Sequence, residues 1–149
     1  IYRHILIPTD GSELSTRAVT DGIQLAGVLG SHLTFITVMV PFATLGDLGH
    51  AFSGSPEAVR RQAIAFLESG SREALSNALA AAKSAGLTAD TLMVENEHPH
   101  EAIIAAANSK KVDLILMASH GRSGAKAILL GSVTQKVLAH TNLPVLVYR

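Results

Sequence analysis

Five short apolar runs alternate with four segments of helical period along this chain. That alternation restricts the fold more than any other feature. Ile5-Leu6-Ile7 is apolar on consecutive positions and is stopped by Pro8, which predicts a strand covered on both faces. Thr9-Asp10-Gly11-Ser12 then turns, with Ser12 placed as an N-cap and Glu13 in the first turn. Ala18, Gly22, Leu25, Ala26 and Leu29 recur at helical spacing until Gly30. Leu33 to Val40 is a second strand. A strand, a helix and a strand within about 40 residues predict a right-handed crossover and a parallel sheet.

The pattern continues beyond that unit. Residues 41–54 carry little periodicity and are expected to form a mobile loop. Ser55-Pro56-Glu57 opens a long helix, with Ile64, Leu67, Leu75, Leu79 and Ala82 expected on its packed face and Gly86 at its end. A third strand is expected over Ala89 to Val94, a helix over Pro99 to Asn108 and a fourth strand over Val112 to Met117. Ser132-Val133-Thr134-Gln135 fits a capping box at the start of a last helix. That helix ends at Asn142, and a fifth strand spans Pro144 to Tyr148. The expected fold is α/β in one domain over residues 1–149: a three-layer sandwich around a five-stranded parallel sheet.

Composition excludes several classes of function. The 12 basic residues match 12 acidic ones, so the basic excess of a nucleic-acid binder is missing. No run approaches the ~20 apolar residues of a membrane span. The sequence has no cysteine, in keeping with a reducing, cytoplasmic setting. Ile1-Tyr2-Arg3-His4 leads straight into the first strand, and no signal peptide is expected.

Ligands of open parallel sheets bind beyond the carboxyl ends of the strands. Residues 118–132 follow the fourth strand and carry Gly121, Gly124 and Gly131, with Arg122 and Lys126 as cations and Ser123 and Ser132 as hydroxyls. Glycines let backbone N–H groups approach an anion, and a helix N-terminus favours phosphate. The Gly131 N–H is expected to point into such a site. A plain glycine loop before a capped helix remains the alternative. The spacing is neither Gly-x-x-x-x-Gly-Lys-Ser/Thr nor Gly-x-Gly-x-x-Gly. Asp10 faces the same crevice, where it can accept from an adenine amine or a ribose hydroxyl, or simply cap the first turn. His98 and His100 flank Pro99 and read as a solvated helix start rather than a metal pair. Ser119 and His120 are adjacent, and on an extended chain they would point to opposite faces. No nucleophile elbow of the form Gly-x-Ser-x-Gly exists.

These residues resemble the universal stress protein family, in its nucleotide-binding branch. The family's signature is Gly-x-x-Gly, nine residues, then Gly-Ser/Thr. Ala118-Ser119-His120-Gly121, Arg122 to Leu130 and Gly131-Ser132 match its spacing, with Ala118 in place of the first glycine. The opening Ile5 to Ser12 and the closing Leu143 to Val147 match as well, so the resemblance covers the whole chain.

The resemblance implies a flavodoxin-like sandwich of strand order 3-2-1-4-5 that binds ATP, which magnesium can accompany. It implies a homodimer, and the apolar Pro144 to Tyr148, at a sheet edge in that strand order, is expected to form it. By the same likeness, Pro8, Thr9 and Asp10 lie by the adenosine and Val38 by the adenine. Ala118, His120, Gly121 and Arg122 lie by the ribose and phosphates, and Gly131, Ser132 and Val133 surround the phosphates. The expected role is a nucleotide-dependent switch in stress response or signalling. A slow ATPase, and a dimeric scaffold whose site Ala118 has spoiled, are the alternatives.

Overall fold

In the computed structural model, described for residues 1–46, 48–121 and 130–149, the five strands form one parallel sheet in the order β3-β2-β1-β4-β5. They are β1 (His4–Pro8), β2 (His32–Met39), β3 (Ala89–Glu95), β4 (Leu114–Ala118) and β5 (Val145–Tyr148). The helices are α1 (Glu13–Leu29), α2 (Pro56–Ser84), α3 (Pro99–Ser109) and α4 (Ser132–His140). Among the described residues, no helix is long and apolar enough to cross a membrane.

Local chemistry sets the ends of α1. The Ser12 side chain accepts from the Ser15 N–H, and Gly30 closes the helix with a left-handed φ of 68°. Helix α2 begins as its sequence predicts, with Ser55 as cap and Pro56 in the first turn.

The strand alternation divides the core into two layers. Ile5 and Ile7 of β1 point to one face, where Phe35, Leu33 and Leu116 meet Ala18, Val19 and Ile23 of α1 and Leu75, Ala78 and Ala82 of α2. Leu6 points to the other, where Ile36, Ile115 and Met117 meet Ile103 and Ala107 of α3 and Val137 of α4. Winding proceeds outward from β1 through β2 to β3, then resumes on the other side of β1 at β4. The carboxyl ends of β1 and β4 therefore flank the point where the winding reverses, which leaves a crevice between them.

Three expectations need correction. The packed face of α2 is Ala63, Ala74, Leu75, Ala78 and Ala82, whereas Leu79 is 39% exposed. Alanines let the helix lie close to the sheet, and the bulkier leucine turns away. Residues 41–54 are not structureless, since they contain 3-10 turns at Phe42–Thr44 and Leu48–Ala51. Strand β4 starts at Leu114 rather than Val112. The preceding Asp113 serves as a tie, its carboxylate accepting from the backbone N–H of Arg3 (2.9 and 3.1 Å) and of His4 (3.0 Å).

A cluster of titratable groups sits at the amino ends of the strands. His4 Nε2 lies 2.8 Å from Thr34 Oγ1, and its ring packs edge-on against His32 at 4.7 Å between centroids. Burial, then the neighbouring His32, hold the His4 pKa below its ordinary 6.5. The folded chain thus binds the His4 proton less readily than the unfolded chain. The stability His4 contributes is present above pH 6.5 and is lost as pH falls through the folded-state pKa. Asp113 is also affected. Burial raises its pKa, but the Arg3 and His4 amides outweigh this and hold it below 3.8. Its contribution is present above about pH 4 and is lost only under stronger acid. Melting temperatures recorded from pH 8 to 5 should therefore fall on acidification, and His4→Gln should flatten that slope. An unchanged slope in the variant would contradict the assignment to His4.

Candidate functional site

The crevice at the winding reversal is a cavity of about 720 Å³. Its floor is the carboxyl end of β1, where Pro8, Thr9 and Asp10 leave the sheet, together with Met117 and Ala118 of β4. One wall is apolar, formed by Val38 near the end of β2, Val40 just after it and Leu45, with Pro99 and Ile103 of α3. The opposite rim is polar, formed by His120, Gly121 and the start of α4. Ten of the eleven residues singled out from sequence line this one cavity: Pro8, Thr9, Asp10, Val38, Ala118, His120, Gly121, Gly131, Ser132 and Val133. Arg122 lies outside the described residues, as do Ser123, Gly124 and Lys126.

Asp10 is held by its own turn. Its Oδ1 accepts from the Ser12 N–H at 2.9 Å and from the Ser15 hydroxyl at 2.9 Å. The other carboxylate oxygen abuts Gly121, where a Cβ would collide with it. Gly121 is thus a glycine because the Asp10 carboxylate occupies the space of a side chain. Its φ is not among the left-handed ones, so close approach, not backbone freedom, explains the residue.

The start of α4 differs from expectation by one residue. Gly131 is the N-cap, with φ −70° and ψ 159°, and no side chain caps the helix. Ser132 is the first helical residue, and Gln135 reaches back to the Leu130 carbonyl at 2.8 Å instead of closing a capping box. The Gly131 N–H does not point into the cavity. It donates to the Ser119 carbonyl at 2.6 Å, while the Thr134 hydroxyl donates to the Ala118 carbonyl at 3.0 Å. These bonds lash the start of α4 to the end of β4. The first-turn N–H groups of a helix have no intrahelical partner. Here that turn carries Ser132, Val133 and Thr134, all of which line the cavity, and with the helix dipole it makes the rim electropositive.

Ser119 and His120 also depart from expectation. Ser119 Oγ lies 3.2 Å from His120 Nδ1, because the chain bends after β4 instead of staying extended. Ser119 is only 3% exposed and is not in the cavity lining. Ala118 is 8% exposed, belongs to the core cluster under α1 and α2 and also lines the cavity. His98, His100 and His140 stand together across α3 and α4, with ring centroids 6.1 and 5.4 Å apart. Among the described residues no group of three or more His, Cys, Asp or Glu could hold a metal ion.

The lining residues outside the predicted set are Ser15, Ile36, Val40, Leu45, Pro99, Ile103, Met117, Leu130, Thr134 and Gln135. Pro99 and Ile103 are four apart on α3 and so share a helical face. That spacing was readable, but only the topology says the face looks onto the cavity.

Fold and cavity together define an open, doubly wound α/β protein with one apolar-walled, electropositive-rimmed site at its switch point. The chain belongs to the universal stress protein family, whose model matches residues 1–149. It is 34% identical over 151 residues to universal stress protein MJ0531 of Methanocaldococcus jannaschii, covering 100% of this chain and 83% of that protein. The solved structure of MJ0577 superposes with a TM-score of 0.82 at 28% identity, covering 99% of this chain and 95% of that one. A universal stress protein solved in complex with cAMP is 27% identical, with a TM-score of 0.71 over 99% of this chain and 97% of that one.

Proposed function

We propose that this chain binds an adenine nucleotide, ATP foremost, in the switch-point cavity and acts as a nucleotide-dependent switch in stress response or signalling. The observation that carries this reading is the division of the cavity. An apolar slot between Val38, Val40 and Ile103 suits a purine ring, and an electropositive helix start at Ser132 to Thr134 suits phosphate. Asp10 lines the same cavity, and its carboxylate suits ribose or amine donors. The family relative solved with cAMP supports the ligand class. Magnesium would accompany the phosphates rather than occupy a protein site. Extraction of the purified protein by denaturation, followed by mass measurement, should release an adenine nucleotide. A folded protein that releases none, and takes up none on incubation with ATP, would contradict the reading.

The same reading makes the chain a binder and not an efficient enzyme. Phosphoryl transfer needs an oriented nucleophile as well as charge neutralisation; the start of α4 supports the second, and this reading takes His120 at the rim as a ligand donor rather than a base. Turnover should stay within a few events per hour, and turnover per second would contradict this.

A cytoplasmic homodimer completes the proposal. Strand β5 is a sheet edge, and its Leu146 is 47% exposed. Pairing with a second copy would cover that edge. Val145→Lys with Val147→Lys should shift the native mass from two chains to one. A one-chain mass for the unmodified protein at micromolar concentration would overturn the dimer.

A further inference from the structure

We infer that Ser15 is a positioning residue for the nucleotide site, acting through Asp10; the inference rests on the adenine-nucleotide reading. Ser15 is the third residue of α1, a position where a capping box would place Glu or Gln. Here it is 3% exposed and turned inward. Its Oγ is 2.9 Å from Asp10 Oδ1, 3.1 Å from the Ser12 carbonyl and 3.2 Å from Thr9 Oγ1. A hydroxyl has one proton, and the shorter, charge-assisted bond to the carboxylate claims it. The Thr9 hydroxyl then donates to Ser15 Oγ and itself accepts from the Gly11 N–H at 3.3 Å. The donors run in one direction, from Gly11 through Thr9 and Ser15 to Asp10.

The base of this relay is fixed from β2. The Thr37 hydroxyl donates to the Thr9 carbonyl at 2.6 Å, and Thr9 and Thr37 are 6% and 5% exposed. Thr9 in the turn after β1, Ser15 on α1 and Thr37 on β2 are therefore buried hydroxyls linked in series, and of the three only Ser15 bonds the Asp10 carboxylate. Buried, fully bonded polar groups hold a single geometry. The network sets the rotamer of Asp10, and with it which ligand donors the carboxylate meets.

The test is a double-mutant cycle read by calorimetry with ATP, with thermal melting of each variant as the control for folding. Ser15→Ala should weaken ATP binding about tenfold, the equivalent of one bond to a charged group. In an Asp10→Ala background the same change should cost less than about twofold, because its route to the ligand is gone. Ser15→Cys keeps the volume and a weak donor and should fall between parent and Ser15→Ala; it decides the matter if the alanine variant does not melt cooperatively. Parent-like binding by Ser15→Ala or Ser15→Cys overturns the positioning role alone. An equal loss with and without Asp10 overturns it too. Absence of ATP binding by the folded parent overturns the nucleotide reading, and the positioning role falls with it.

Discussion

Gly121→Val should weaken adenine-nucleotide binding by roughly ten- to a hundredfold while the chain still folds. A Cβ at this position runs into the Asp10 carboxylate, and valine adds two more methyls. Either the carboxylate or the loop after β4 must move. Moving Asp10 breaks its bonds to the Ser12 N–H and the Ser15 hydroxyl. Moving the loop shifts His120 and the strap from Gly131 to Ser119 that places α4. Both routes displace a group proposed to face the ligand, and losing one charge-assisted contact costs about 1.5–3 kcal/mol. Most of the core lies beneath the sheet ends and is untouched, so the fold should persist. Calorimetry with ATP, beside a melting curve, checks this. Parent-like affinity in a folded Gly121→Val protein would show that the contact between Gly121 and Asp10 has no part in the site.

The largest effect on stability should come from Phe35→Ala. Phe35 is fully buried and is the largest of the fully buried side chains. It stands in the middle of β2, against α1 and α2 residues of the first core layer. The other buried residues of that layer are aliphatic, with Tyr2 and Tyr148 packed at its margin, and they cannot refill the space of a ring without leaving a void. Replacement of a buried phenylalanine by alanine costs about 3–5 kcal/mol, a large share of the roughly 5–15 kcal/mol that holds a typical domain. Urea titration should show a lower midpoint with an unchanged slope, as for a loss of stability without a change in the surface exposed. A loss below about 1 kcal/mol would mean that the core around β2 repacks freely.

How much of this was legible in the sequence depends on how local the deciding chemistry was. Strand β1 and helix α1 were readable in place, because Pro8, Ser12 and Gly30 act on their own neighbours. The sheet order entered through the family resemblance, and it carries the position of the cavity. Leu75 and Ala82 lie on the packed side of α2 as expected, but Ala63, Ala74 and Ala78 complete it in place of Ile64, Leu67 and Leu79, because alanines set how closely a helix approaches a sheet. The frame at Gly131 and Ser132 was off by one, since the bonds from Gly131 to Ser119 and from Thr134 to Ala118 join residues far apart in sequence. Leu45 and Ile103 reach the cavity from segments whose local patterns say nothing of it. Ser15 was visible as a residue two past Glu13, but its inward turn toward Asp10 is a tertiary fact.

The central claim is that the cavity between β1 and β4 is an adenine-nucleotide site, and titration of the folded, nucleotide-free protein with ATP by calorimetry tests it most directly. Saturable binding of one nucleotide per chain is expected, weakened by Asp10→Ala and by Gly121→Val. Weaker binding of AMP is expected too, because fewer phosphate oxygens reach the start of α4. Absence of saturable heat with millimolar ATP in a protein that melts cooperatively would contradict the claim, as would binding that both variants leave unchanged.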